Sequence, residues 1–502
     1  MTDSDVDSHV EVVLRCFDED LNRAGFRTVS TSDAPGEWKW VGKVGLNDER
    51  VEIKLTDQFP YGPPDVVLPD RPSEMSWHRS AGGVLCLWDR HSMGDLPWLE
   101  VPALLDRVLV WIEHDENGWM DDEPALDLEA YHQPYWMSWG QRIGVPLFVI
   151  DEWPALAGYW FRAARPNQYG SFSVAGGRRS APPVGGKPKT RQRGRQRSHQ
   201  PLNGIAVDLG EMTVPLVNSA DLLAALGQHR ASAEKVLAVG WPVLLVCRYT
   251  RLGAVGLIGF WITRSGGELK QPYFEVAERF ASQRRRAGPQ VSKVEDRTVS
   301  VIGAGSVGSY VADMLHRSGV RHLRIHDDDH LKPGNLVRHA APSCYTGALK
   351  TDAVRGVAAD RAPIPQIGQG GAIKKLVDAI VLLRERDLVV DCTGDRLTWQ
   401  LLLAASRLTG RRFLRVAVEG HGQYARVDVC PPFDGFDNLP SDGVRGMTLS
   451  EREGGCGDPI SPTPPIAVIE TAAIGARTAI RMLAGEPVPP AGERRELFPV
   501  VP

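Results

Sequence analysis

Near the start of the chain apolar residues fall at Val6, Val10, Val13, Leu14, Phe17 and Leu21, steps of three and four that predict an amphipathic helix. Two strand-like segments follow, 37–46 and 50–55, parted by Asn47 and Asp48 in turn positions. A second helix is expected over 104–112. Farther on, the apolar runs 243–251 and 254–262 flank Leu252-Gly253 and predict a hairpin, with a helix expected over 273–283. The chain is organised around the stretch that opens at Val299. Residues 299–302 form a short β-branched run that reads as a buried strand, and Gly303, Gly305 and Gly308 then make a G-x-G-x-x-G turn. Val311, Met314 and Leu315 recur after it at helical spacing. A second strand is expected at 322–326, a third at 388–391, two more within 411–430, and a helix through Ile466, Ile469, Ala473, Ile474 and Ile480.

A helix that starts on a glycine turn points free N–H groups and its positive dipole end at an anion, so a phosphate site is expected there. Alone, the turn would equally suit a nicotinamide dinucleotide. The second strand, however, ends in Asp327, Asp328 and Asp329, with Asn335, Arg338 and Lys350 beyond. One acid suffices to hold a ribose. Two added cations point to a ligand carrying more charge than a pyrophosphate diester, such as the triphosphate of ATP. The strand 388–391 runs into Cys392-Thr393-Gly394-Asp395, and an acid at that strand end is where a magnesium ion is expected.

The spacing D-x-D-x5-N-L-x-R (Asp327, Asp329, Asn335-Leu336, Arg338), then Lys350, then the strand end at Asp391–Asp395, resembles the ThiF-type adenylation domain of ubiquitin-activating enzymes and bacterial sulfur-carrier activators. The resemblance covers residues 294–486. It implies a Rossmann-like α/β domain in which Asp327 holds the ATP ribose, Arg338 and Lys350 the phosphates, and Asp395 the Mg2+. Gly303, Gly305, Gly308, Asp329 and Asn335 complete the implied ATP site. A homodimer is also implied.

In the N-terminal region, Phe59-Pro60-Tyr61-Gly62-Pro63-Pro64 is followed by His78, Gly83-Val84-Leu85-Cys86-Leu87 and Trp98. With one helix and a strand meander ahead of them, these residues resemble the α+β fold of ubiquitin-conjugating enzymes, which implies that Cys86 forms a thioester. One departure stands out. Where that family carries H-P-N, this chain reads His78-Arg79-Ser80, so the Asn that assists aminolysis is missing. Such help is needed, because a lysine of pKa about 10.4 is roughly one part in a thousand neutral near pH 7.4. Asp121 and Asp122 are candidates for that role, or simply solvated loop acids.

At 502 residues the chain exceeds a single core. The expected multidomain layout is a conjugating-like domain over 1–140, a middle region over 141–290 and the adenylation domain over 291–502. The net charge of −4 gives no global argument for nucleic acid. No run of eighteen apolar residues exists and the first residues are acidic and polar, so neither membrane span nor signal peptide is expected and a cytoplasmic protein is. Seven dispersed cysteines without a C-x-x-C pair suggest neither a disulfide framework nor a structural zinc. Cys247 and Cys430 lie within apolar strand patterns and read as core. Between Glu152 and Asp208 there is no acidic residue, and the Arg/Gly/Pro/Gln-rich part of this span predicts a disordered basic insert at about 165–204. It reads as a nucleic-acid contact or as a flexible tether about 35 Å long that brings two acyl-carrying sites together. Arg284-Arg285-Arg286 reads as a solvated helix end, or as a reach toward a partner's phosphate.

Within the Gly/Pro-rich stretch 431–465 lies Glu453-Gly454-Gly455-Cys456-Gly457-Asp458. Activating enzymes carry their thioester cysteine on a loop at this point, and the resemblance assigns that part to Cys456. Unperturbed, such a thiol is only a few per cent thiolate at neutral pH, and Arg452 or the following helix N-terminus would raise that fraction. The order of the two regions resembles the fused activating–conjugating enzymes of bacterial antiviral (CBASS) operons. The activated partner implied is the tail of a cGAS-like nucleotidyltransferase or a ubiquitin-like protein, with a target lysine as acceptor. A sulfur-carrier adenylyltransferase of cofactor synthesis and a non-catalytic conjugating-like scaffold are the rival readings.

Overall fold

The computed structural model describes all residues except 1–2, 31–37, 72–76, 81, 89–95, 120–127, 129–131, 133–136, 140–141, 145–146, 152, 154–157, 165–170, 180–201, 214, 217, 266, 362–366, 441–461 and 499–502. The chain divides into two compact units, Met1–Glu278 and Arg279–Pro502.

The first unit opens with the helix Asp3–Arg23. An antiparallel meander in sequential order follows: Arg27–Ser30, Lys39–Val44, Glu49–Lys54 and Asp65–Val67. Leu14, Phe17 and Leu21 of the helix bury against Trp40, Val51 and Ile53 of the meander and against Leu104, Val108 and Trp111 of the helix Val101–Asn117. The heptad-like stepping of the first helix and the alternation of the strands thus serve one core.

Beyond it, eight strands make a second sheet that closes on itself, because Val243–Arg251 pairs with both Leu202–Glu211 and Ala254–Ser265. The hairpin expected at Leu252-Gly253 is present, with Arg251 opposite Ala254 and both turn residues at positive φ. The helix expected over 273–283 is not: Tyr273–Glu278 is a strand, paired on both sides, and the helix Arg279–Arg286 starts after it. Pairing with two neighbours outweighs local helix propensity there. This moves the boundary between units from the expected 290/291 to 278/279. The basic insert is also narrower than expected. Ser171–Arg179 is a strand with Phe172 buried, and Leu202 already begins the next strand of the same sheet. Residues 180–201 therefore connect two strands of one unit, so the insert is not a link between the two units; those residues themselves lie outside the described set.

In the second unit the strands are β1 (Thr298–Ile302), β2 (His322–His326), β3 (Gly368–Gly370), β4 (Leu388–Asp391), β5 (Phe413–Glu419), β6 (Tyr424–Cys430) and β7 (Gly492–Glu496). Their order is β3-β2-β1-β4-β5-β6-β7. The first five run parallel, while β6 and β7 join antiparallel. Helices α1 (Ser306–Arg317) and α5 (Pro465–Leu483) pack one face through Val311, Leu315, Val468 and Ala472. Helices α3 (Leu376–Glu385) and α4 (Arg396–Thr409) pack the other through Ala379, Leu382, Leu402 and Ala405. The four residues of β4 are all buried, as a two-sided parallel strand requires. The sequence pattern had missed β3, whose Gly-Gln-Gly carries no apolar signal, so the expected third strand is in fact the fourth.

Candidate functional site

The strand order reverses between β1 and β4, and in open α/β sheets ligands bind outside the carboxyl ends of the strands at that point. The glycine turn lies there. Gly303 has φ +85°, and a side chain on it would come within 3.0 Å of the Thr393 backbone just past β4. Gly308 is closed in more tightly still, since a Cβ there would lie 1.8 Å from the Gly303 carbonyl oxygen. At Gly305, which caps α1, a Cβ would meet nothing within 4 Å. Two glycines serve packing and the third faces open space, which is the division of labour a close-approaching phosphate needs.

Of the acids and cations singled out in the sequence, Asp327 contacts this turn directly. Asp327, at the end of β2, accepts the Ala304 N–H at 2.7 Å through Oδ2 and the Asp329 N–H at 2.8 Å through Oδ1. Asp329 pairs with the ammonium of Lys350, the first residue of α2 (Lys350–Arg361), and its carbonyl accepts the Lys350 N–H at 2.9 Å. Burial opposes ionisation of Asp329, but the bond and charge of Lys350, the His330 N–H and the charge of Lys332 together outweigh it and hold the carboxyl below its ordinary value. Asn335 and Arg338 sit in the 3-10 helix Pro333–Arg338. There the Asn335 Oδ1 accepts the Lys332 N–H at 3.0 Å, and Arg338 donates to the Thr463 carbonyl at 3.3 Å.

At the end of β4, Asp391 is buried and desolvation raises its pKa, although Thr393 donates to it through both N–H and hydroxyl. Asp395 is exposed and caps α4: its Oδ2 accepts from Thr398 N–H at 2.8 Å and from the Thr398 hydroxyl at 2.9 Å, which lowers its pKa. An exposed, ionised carboxylate just past the carboxyl end of β4 fits the demands of Mg2+, which needs one or two carboxylates and takes its other ligands from phosphate and water. His339, which the sequence reading passed over, bonds the Ala304 carbonyl; its place directly after Arg338 was the signal available.

In the first unit Cys86 is exposed between buried Leu85 and Leu87. The segment is fixed from three sides. The Leu85 N–H donates to the Val66 carbonyl at 2.8 Å, the Cys86 N–H to the His78 carbonyl at 2.8 Å, and Arg107 to the Leu87 carbonyl at 2.6 Å. These backbone bonds leave Cys86 exposed while its neighbours Leu85 and Leu87 anchor the core. Arg79, at the second position of His78-Arg79-Ser80, is buried and donates to Asp115 at 2.8 Å. Arg71 donates to the same carboxylate at 3.0 Å and also to Glu49 and Glu116. Removing Asp115 leaves two largely buried guanidiniums short of a partner, so Asp115→Ala is expected to cost about 3–5 kcal/mol. Urea unfolding of the full chain followed by Trp fluorescence checks this, since eleven of the fourteen tryptophans lie before residue 161; a loss below about 1 kcal/mol would contradict the burial argument.

Cys247 and Cys430 are buried, as expected of core thiols, and burial pushes Cys430 up to about 12. Cys456, Asp121 and Asp122 lie outside the described residues. No helix among the described residues is long and apolar enough to cross a membrane.

Residues 281–440 match the ThiF family. Among curated proteins, the chain is 27% identical over 224 residues to the ATP-dependent ubiquitin transferase-like protein Cap2 of Enterobacter hormaechei, a match covering 40% of this chain and 36% of that protein. It is 29% identical over 128 residues to the protein of the same name from Vibrio cholerae, covering 25% and 22%. The matched part is thus well under half the length of either relative. Among solved structures, E. coli MccB with ATP superposes on 41% of this chain and 66% of its own at 16% identity, with a TM-score of 0.31. The C-terminal half of this chain carries a ThiF-family domain.

Proposed function

We propose that this protein activates the C-terminal carboxylate of another protein with ATP·Mg2+ and passes the acyl group through cysteine thiols to a lysine. One observation supports it above the rest: at the strand-order reversal Asp327 holds the Ala304 N–H of the glycine turn, and the Asp329–Lys350 pair follows directly on Asp327. Asp327 orients the ribose, while the α1 N-terminus, Arg338 and Lys350 hold the phosphates. Asp395 holds the magnesium ion, which when bound offsets charge on the phosphate oxygens. In the first step a carboxylate oxygen of the tail attacks the α-phosphorus; the α–β bridging bond breaks and pyrophosphate leaves. The Cys456 thiolate then attacks the acyl carbon, forming the thioester and releasing AMP. The Cys86 thiolate takes the acyl group by transthiolation, and a neutral lysine amine displaces it to form an amide.

Similarity to ATP-dependent ubiquitin transferase-like proteins supports an ATP-driven transfer, and antiviral defence of the CBASS type is the setting proposed with it. The activated partner is the tail of a cGAS-like nucleotidyltransferase or a ubiquitin-like protein, and the enzyme is proposed to work as a homodimer. A second reading, a conjugating-like scaffold without transfer activity, draws on one observation: Ser80 stands where the H-P-N motif has its Asn, and Arg79 beside it donates to Asp115. Intact mass after incubation with ATP·Mg2+ and a candidate modifier separates the two. Cys86→Ala is expected to retain a reducible adduct on Cys456 and form no lysine conjugate, while Cys456→Ala forms neither. A conjugate formed by Cys86→Ala would refute the relay.

A further inference from the structure

His339 is 5% exposed, and its two ring nitrogens meet different kinds of partner. Nδ1 lies 3.0 Å from the Ala341 amide nitrogen, and Nε2 lies 2.9 Å from the Ala304 carbonyl oxygen. A backbone N–H only donates, so Nδ1 must be the bare acceptor. The single ring proton then sits on Nε2 and is donated to Ala304. The contacts fix one neutral tautomer. Ala304 is the residue between Gly303 and Gly305, and its own N–H is donated to Asp327. The centre of the glycine turn is therefore held by β2 on one side and by the residue following Arg338 on the other. A further stitch runs alongside, where the Ala340 N–H donates to the Ser309 hydroxyl of α1 at 3.2 Å.

We propose that His339 is a positioning residue that joins the glycine turn to the Arg338 segment, and does so only as a neutral imidazole. The proposal rests on the reading of this turn as a triphosphate site. An imidazolium would turn Nδ1–H toward the Ala341 N–H, donor against donor, and the ring would have to leave one contact or both. The turn and Arg338 would then lose their fixed spacing, and with it the geometry that grips the phosphates.

The groups around the ring set the direction of its titration. Burial disfavours the charged form most strongly, Lys350 adds to that, and Asp327 and the Ala304 carbonyl oppose it. Tyr310 of α1 reaches the His339 carbonyl at 3.5 Å and faces the segment from the helix side. The folded value thus lies below the ordinary 6.5, so the free chain takes up the proton first. The stability the neutral ring contributes is complete above about pH 6.5 and falls below it, while in the folded protein the lock itself opens only as the pH drops through the lower folded value.

The test is equilibrium binding of ATP·Mg2+ between pH 8 and 5.5 to the full chain, His339→Gln and His339→Ala, with unfolding midpoints recorded beside it. A glutamine amide donates to Ala304 and never becomes charged. Its ratio to the natural protein cancels the titration of the nucleotide itself and of His316 and His326. At pH 8 His339→Gln is expected within about three-fold of the natural affinity, and His339→Ala about ten-fold weaker. As the pH falls through the folded value of His339, below the ordinary 6.5, the natural protein should weaken faster than His339→Gln, so that the two profiles cross or diverge. Parallel profiles for the two, or natural affinity in a folded His339→Ala protein, would overturn the proposal while leaving the triphosphate reading intact. Absence of ATP binding by the natural protein at every pH would remove that reading and the proposal together. If His339→Ala does not fold, the comparison with His339→Gln decides alone.

Discussion

Lys350→Ala is expected to lower ATP–pyrophosphate exchange by about 10²- to 10³-fold, the range found when one preorganised donor to a developing charge is removed. The position of this lysine is the reason. A cation at the first residue of a helix faces the positive end of the helix dipole, an arrangement that is unfavourable by itself. It is held there by Asp329, with the Lys350 side chain only 13% exposed. An ammonium kept at a helix N-terminus, beside a glycine turn backed by a second helix N-terminus, makes sense where an anion of high charge density is received. Asp329, at 46% exposed, returns to water when its partner is lost. Stability should therefore change by only about 1 kcal/mol, because the carboxylate left behind is already half in water. Exchange within ten-fold of the natural rate in a folded variant would show that this cation does not meet the phosphates.

Gly308→Ala carries the second large effect, and it concerns folding. The added methyl would lie 1.8 Å from the Gly303 carbonyl oxygen and 3.1 Å from the Cys392 side chain. Neither can yield cheaply. Gly303 is backbone held at φ +85° against Thr393, and Cys392 is buried where β4 ends. Moving either shifts β1 against β4, so a loss of about 3 kcal/mol or more is expected in urea unfolding. Gly305→Ala is the matching control. Its methyl meets no atom within 4 Å and its φ of −76° suits any residue, so stability should stay within about 1 kcal/mol while ATP affinity falls. If both variants unfold alike, the assignment of one glycine to packing and another to the ligand is wrong.

The sheet illustrates where pattern suffices and where it does not. Strands β1, β2, β5 and β6 announce themselves by β-branched and alternating apolar residues, which respond to burial that any partner strand provides. Gly368–Gly370 has no such residues and is a strand only because β2 offers its edge. Tyr273–Glu278 satisfies a helical reading locally, yet two neighbours claim its backbone groups. Arg79 shows the same limit at the level of charge. As part of a motif it marks a departure from H-P-N, and only the fold reveals that its guanidinium is committed to Asp115.

Legible from the sequence alone are the glycine turn and the order of acids and cations at Asp327, Asp329, Arg338, Lys350 and Asp395. These are fixed by rise, period and turn geometry, which reach only a few residues along the chain. Tertiary structure alone decided that Gly308 is a packing glycine and Gly305 an open one, that Asp329 holds Lys350, and that His339 is a neutral ring clasping Ala304. Each of those depends on atoms brought together from strands and turns far apart in the chain, where contact distance and burial, and not sequence separation, set the energy.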